Sequence, residues 1–187
     1  MLYSIFASVA AYIATNIDDM FINMLLFSSA KNAKDDISIV SGKYLGTGLL
    51  VAVSMAAARG VQTAVGDYVY LLGIVPLVLG IKAIFDNIKQ SQDEDEVSVS
   101  KGFLLSTAAV TISSGGDNVG VYVPLLADFN TQQFVVMIAV FAIMTAVWCR
   151  LGKAMTTLPA IKNIIEKYRS IITPLVYIAL GVYILFF

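Results

Sequence analysis

Three aspartates stand in stretches that otherwise read as apolar: Asp18 and Asp19 within "NIDDM" (residues 16–20), and Asp117 within "TISSGGDNVG" (residues 111–120). Asn16, Asn23, Ser113, Ser114 and Asn118 surround them with neutral oxygen donors. An aspartate at the centre of a spanning helix costs about 2.5–3.5 kcal/mol on insertion scales. Three ionised together cost about 8–10 kcal/mol, comparable to the whole stability of a typical fold. The neighbouring sequence holds no lysine or arginine to offset these charges, and the chain contains no histidine. Protonation, water or a cation supplied from outside are the remaining remedies. Neutral, hydrogen-bonded aspartates account for one such residue; two matched sets with amides and hydroxyls point instead to a cation site. Carboxylate, amide and carbonyl oxygens form a hard donor set, suited to Mn²⁺, Ca²⁺ or Mg²⁺.

Helical geometry constrains how these groups meet. At about 100° per residue, Asn16, Asp19 and Asn23 share one face of a helix while Asp18 points away. A straight helix therefore cannot aim both aspartates at one ion. In the second stretch, Gly115 and Gly116 permit an unwound turn with exposed carbonyls, and Pro124 disturbs the helix beyond it.

The elements that carry these residues follow from hydropathy. Of 187 residues, 58% are hydrophobic and 13% charged, with mean hydropathy +0.82; a soluble domain carries about 25% charged residues. The apolar residues fall into six segments, 2–30, 44–58, 69–85, 103–127, 134–151 and 171–187, and each is expected to span a bilayer as a helix. Glycines at 42, 46, 48 and 60 predict close helix packing around the second segment. The apolar start at Met1 lacks a basic leader and carries two aspartates, so a cleaved signal peptide is not expected. A net charge of −1 offers no basic surface for nucleic acid.

Basic residues predict orientation. Lys31, Lys34, Lys43, Lys89, Lys101, Lys153, Lys162, Lys167 and Arg169 lie in the loops after segments one, three and five, with Lys82 and Arg150 near them; Arg59 alone lies opposite. Loops 31–43, 86–101 and 152–170 are thus expected in the cytoplasm, with both termini outside.

The chain also repeats itself. An offset of 99 residues lays "NIDDM" on "GGDNV" (residues 115–119) and matches Asp18 with Asp117; "LGIKAIF" (79–85) resembles "LGVYILF" (180–186). Three helices per half is odd, so the second copy enters from the opposite side. The expected architecture is an all-α membrane protein of two inverted three-helix repeats, residues 1–88 and 102–187, joined by an acidic cytoplasmic linker at 89–101. Helices one and four are expected to break near the midplane, where such folds place their sites.

"ATNIDDMFI" (residues 14–22) together with "TISSGGDNVGVYVPLLA" (111–127) resembles the cadmium resistance transporter family of the lysine-exporter superfamily, over nearly the whole chain. The resemblance implies export of divalent metal, chiefly cadmium, from a bacterial cytoplasm across the plasma membrane by a protein with no enzymatic activity. It places metal ligands at Asp18, Asp19, Asp117 and Asn118. Asn16 joins them as a candidate on the face it shares with Asp19, with Ser114, Gly115, Gly116 and Asn23 in support. No cofactor is expected beyond the transported ion. Glycine-rich helices leave room for a homodimer.

Cd²⁺ is soft and prefers thiolates, which this set lacks; weak oxygen coordination suits an exporter that must release its cargo. Met20 and Met24 lie four apart and offer thioethers, although methionine in an apolar helix is usually packing. Cys149 reads as packing, "DEDE" (93–96) as solvated linker, and Trp148 as part of an interfacial aromatic belt. Other classes fit less well. An intramembrane aspartyl protease needs two facing aspartates, and Ser114 stands where its signature has glycine. An exporter of a small organic solute such as an amino acid needs a carboxylate-binding cation or a free half-helix N-terminus at depth. An exporter or channel for another cation such as Mn²⁺ or Ca²⁺ is the remaining alternative, with saturation of flux separating carrier from channel. Proton exchange against metal would be direct, because either cation neutralises the same carboxylates.

Overall fold

The computed structural model describes residues 2–89 and 102–186, and every regular element among them is helical. The chain runs through α1 (Leu2–Asn16), α2 (Asp19–Ser29), α3 (Ala33–Val65), a 3₁₀ segment (Gly66–Gly73), α4 (Ile74–Lys89), α5 (Phe103–Ser113), α6 (Gly116–Asp128), α7 (Thr131–Met155) and α8 (Pro159–Phe186). The acidic run at 93–96 and most of the linker lie outside the described residues.

Local chemistry sets several helix boundaries. The Asn32 side chain accepts from the backbone N–H groups of Lys34 and Asp35, and Asp35 and Asp36 place negative charge in the first turn of α3. Asn130 and Gln133 close a reciprocal capping box at the start of α7. Gly66, at φ 53°, terminates α3 in a conformation that side chains resist.

Among the described residues, three stretches are long and apolar enough to cross a membrane: Ala33–Ala64, Tyr68–Phe85 and Thr131–Met155. The pair α1 and α2, bent by 64°, makes a fourth when counted as one broken span. Phe103–Ser113 and Ser170–Phe186 are apolar but shorter. The fourth expected segment falls short because a break at Ser114 and Gly115 divides it into helices of 11 and 13 residues.

The second segment needs correction. Its helix does not begin at Tyr44 but at Ala33, so the expected loop 31–43 is mostly helical and Lys43 lies inside α3. Much of loop 152–170 is likewise helical, because α7 continues to Met155 and α8 starts at Pro159. The glycines of this region divide into two kinds. A Cβ on Gly42 would meet Thr107 at 2.8 Å, and one on Gly46 would meet Thr111 at 2.7 Å, so both allow α3 to approach α5. Gly48 and Gly60 face open space and pack against nothing.

Packing crosses between the two halves of the sequence. α3 lies against α5 and α6, α7 lies against α2 and α1, and α4 runs beside α8. The interior is unusually polar for an apolar chain: Ser4, Ser8, Asn16, Asn23, Lys43, Thr47, Ser54, Thr107, Asn118 and Thr145 are all buried. Apolar side chains face outward instead, among them Ile37, Leu45, Leu49 and Val53 along α3. An outer surface of this kind is stable against hydrocarbon rather than water.

Candidate functional site

A helix break interrupts each of the two polar stretches. α1 ends at Asn16 and α2 restarts at Asp19; α5 ends at Ser113 and α6 restarts at Gly116. Each interruption leaves backbone carbonyls without helical partners, which other groups must satisfy. At the first break the Trp148 indole N–H donates to the Asn16 carbonyl at 2.7 Å. Trp148 is therefore buried in the centre of the chain, not set in an interfacial belt as expected. It packs edge-to-face on Tyr12, which contacts Phe141 in the same manner, and Tyr122 lies against Phe141.

Above these rings sits a hydroxyl and amide network. The Tyr122 phenol exchanges a hydrogen bond with Thr15 at 2.9 Å and accepts from the amides of Asn16 (3.1 Å) and Asn118 (3.0 Å). Asn16 and Asn118, 102 residues apart, thus converge on one oxygen. The Asn16 amide nitrogen also donates to the Tyr12 carbonyl and to Thr15. Its Oδ1 is buried without a hydrogen-bond partner. Such an acceptor is costly to leave unmade, by about 1–3 kcal/mol, and it is an oxygen available to a cation.

The carboxylates occupy three different environments. Asp19 is buried, and its Oδ2 is ion-paired with the Lys43 ammonium, itself only 1% exposed. Its Oδ1 accepts from the Ser114 hydroxyl at 3.2 Å, which ties the first break to the second. The absence of a cation from the neighbouring sequence did not carry over to three dimensions: Lys43 reaches Asp19 from another helix, 24 residues away. Asp117, half-buried in the first turn of α6, accepts from the Asn118 backbone N–H at 2.9 Å and from the Tyr177 hydroxyl at 2.7 Å. Asp18 is exposed. Asp117 is nonetheless close enough to feel the charges of both Asp19 and Asp18.

The single helical face expected for Asn16, Asp19 and Asn23 does not form, because the break at residues 17–18 leaves Asn16 on α1 and the other two on α2, bent by 64°. Asn16, Asp19 and Asn23 are buried and Asp18 is not. Asn23 packs against Gly152, where a Cβ would lie 2.6 Å from its own, and its amide nitrogen lacks a partner. Gly115 leaves room for Leu50, whereas Gly116 faces open space. Among the described residues, no group of three or more Asp, Glu, His or Cys side chains is gathered tightly enough to hold a metal ion by itself. A cation held here draws on amide and hydroxyl oxygens as well as carboxylates.

The sulfur atoms serve packing. Met20 is in the main core, Met24 packs against it, and Cys149 is buried with Leu26, Phe27 and Ile39. Lys43, Tyr122, Trp148 and Tyr177 were not singled out from the sequence as members of the site. Only Lys43 carries a local signal, a charge flanked by Gly42 and Gly46 on a closely packed helix.

A family model for cadmium resistance transporters matches residues 12–187, a range that contains every residue of this site. Comparisons with curated proteins and with solved structures give no match.

Proposed function

The chain belongs to the cadmium resistance transporter family, and from that membership we propose that it exports divalent cations, cadmium foremost, from a bacterial cytoplasm by alternating access at the two helix breaks. Membership makes it a transporter of the membrane and gives cadmium resistance as its activity. The mechanism and the ligands are our reading. The observation that carries it is the junction of the breaks, where Ser114 of one half bonds Asp19 of the other; Asn16, at the end of the helix before the first break, keeps a buried, unpartnered Oδ1. Asp117, Asp18 and Asp19 supply charge; Asn16 and Asn118 supply neutral oxygens.

Two further observations support an inverted repeat around this junction. α4 and α8 cross at Gly80 and Gly181, where added Cβ atoms would meet Pro174 and Ile178 in one case and Gly73 and Leu77 in the other. A single offset of 101 residues carries Gly73, Leu77 and Gly80 onto Pro174, Ile178 and Gly181. The contacts exchange as a twofold axis requires. The offset of 99 residues likewise carries Ser8 onto Thr107, both buried with hydroxyls that lack partners. Polar atoms of this sort, on either side of a centre, suit a route for a hydrated ion.

Six spans, external termini and cytoplasmic positive loops complete the proposed topology, and carboxylates that take either metal or proton make inward proton movement the natural coupling. An organic anion as cargo is less well served: the cation at depth, Lys43, is paired with Asp19, and α6 carries Asp117 in its first turn, where an anion would bind. Asp117→Asn removes a charge while keeping shape. It is expected to abolish cadmium efflux from cells and proteoliposomes at normal expression; undiminished efflux would refute the assigned centre.

A further inference from the structure

The site already contains one cation. Lys43 lies ten residues into α3, about 15 Å along its axis. A buried ammonium at such depth is tolerated only when paired. Its partner is Asp19, whose second oxygen accepts from Ser114, so both oxygens of this carboxylate are engaged by the protein's own groups.

We propose that Lys43 is a tethered placeholder for the cargo: its ammonium occupies Asp19 in the empty carrier and yields that carboxylate to the incoming divalent ion. The inference rests on the divalent-cation reading above and assigns Lys43 a positioning role within it. Two features support displacement over a fixed strut. The hydroxyls of Thr47 and Thr107 are buried without partners. Thr47 stands one turn beyond Lys43 on the same face of α3, and Thr107 packs directly against Gly42. Both are unused acceptors on the stretch of α3 that carries Lys43 and on the helix packed against it. With all three aspartates ionised, three negative charges and Lys43 leave two, which a divalent ion cancels without ejecting the lysine from the protein. The empty site meanwhile keeps its most buried carboxylate compensated, so the carrier can close without cargo.

The test is calorimetric titration of the purified full-length chain with CdCl₂, alongside Lys43→Met, Asp19→Asn, the double variant and Asp117→Asn. Lys43→Met is expected to bind Cd²⁺ at least about tenfold more tightly than wild type, because a close competing charge is gone. Its melting temperature is expected to rise more steeply with added Cd²⁺ than that of wild type, and its turnover in proteoliposomes to fall. Unchanged or weaker binding by a cooperatively folded Lys43→Met overturns the proposal. Should that variant fail to fold, Lys43→Gln decides by the same criterion, tighter binding than wild type supporting the idea and unchanged or weaker binding overturning it. In the Asp19→Asn background the gain from Lys43→Met is expected to vanish, because the contested carboxylate is gone; a gain of equal size there makes Lys43 a general repulsive charge and overturns the placeholder. Wild-type affinity in Asp117→Asn counts against the cation centre itself, whereas its loss beside an unaltered Lys43→Met counts against the placeholder alone.

Discussion

Replacing Gly181 by alanine adds one methyl group at the crossing of α4 and α8, and the cost follows from what that methyl meets. Its Cβ would lie 2.7 Å from the Gly73 carbonyl oxygen and 2.7 Å from both the backbone nitrogen and the Cβ of Leu77. A comfortable carbon–oxygen contact is about 3.3–3.6 Å, so the helices must separate by roughly 0.6–0.9 Å. Two of the obstructing atoms belong to backbone and cannot turn aside. Overpacking of this kind costs about 1–3 kcal/mol, roughly a fivefold to hundredfold loss in the folded ratio. The shift also reaches the site, because Tyr177 lies one turn before Gly181 and donates to Asp117 at 2.7 Å. Lengthening that bond by the same amount takes it beyond about 3.2 Å, where it weakens.

The assay is thermal unfolding in detergent combined with cadmium efflux from proteoliposomes. Gly80→Ala serves as the milder partner, since its nearest contact is the Ile178 side chain at 2.8 Å, with backbone atoms at 3.0 Å and 3.1 Å. Gly48→Ala and Gly60→Ala serve as controls; both face open space within α3 and are expected to gain up to about 1 kcal/mol from helix propensity. The expected order of stability is Gly48→Ala, Gly80→Ala, then Gly181→Ala, with efflux falling only in the last two. A Gly181→Ala protein as stable and active as Gly48→Ala would refute the close crossing and its link to Asp117.

Three further outcomes are expected. Asp19→Asn leaves the Lys43 ammonium buried without its partner and is expected to lose about 3–5 kcal/mol of stability, while Asp18→Asn, on an exposed residue, loses much less; melting curves of the pair decide which aspartate is structurally committed. Trp148→Phe strands the Asn16 carbonyl in the interior and is expected to cost about 1–3 kcal/mol, read as a lower unfolding midpoint that an unchanged curve would contradict. Met20→Leu preserves volume in the core and is expected to cost less than about 1.5 kcal/mol with efflux retained; loss of Cd²⁺ binding by a folded Met20→Leu would make the thioether a ligand after all.

Much of this was legible without coordinates, because it rests on local sums and local spacing. Long continuous apolar blocks demand helices in a bilayer, since a single segment satisfies its own backbone hydrogen bonds only as a helix and barrel strands would be shorter and alternating. The glycine pair 115–116 marked one break, and the offset match of Asp117 with Asp18 pointed to its counterpart. Hundred-degree spacing assumed a continuous helix through Asn16, Asp18, Asp19 and Asn23; the break at residues 17–18 replaced that face, and Asp18 is exposed within the break itself. Hydropathy misjudged α3 because a helix can begin in polar sequence once an Asn32 cap and acidic first-turn residues stabilise it. Lys43, counted as a loop charge, was thereby displaced from the interior where it belongs.

Partnership was decided by tertiary structure alone. Lys43 with Asp19, Tyr177 with Asp117 and Trp148 with Asn16 join residues separated by 24, 60 and 132 positions. No periodicity connects such pairs; they meet because glycines let helices cross closely and because a buried charge or carbonyl must find whatever donor the crossing brings. The sequence determined that this membrane protein places carboxylates where lipid would reject them. Which carboxylate is held, and by what, depended on how the helices pack, since electrostatic compensation acts through space and not along the chain.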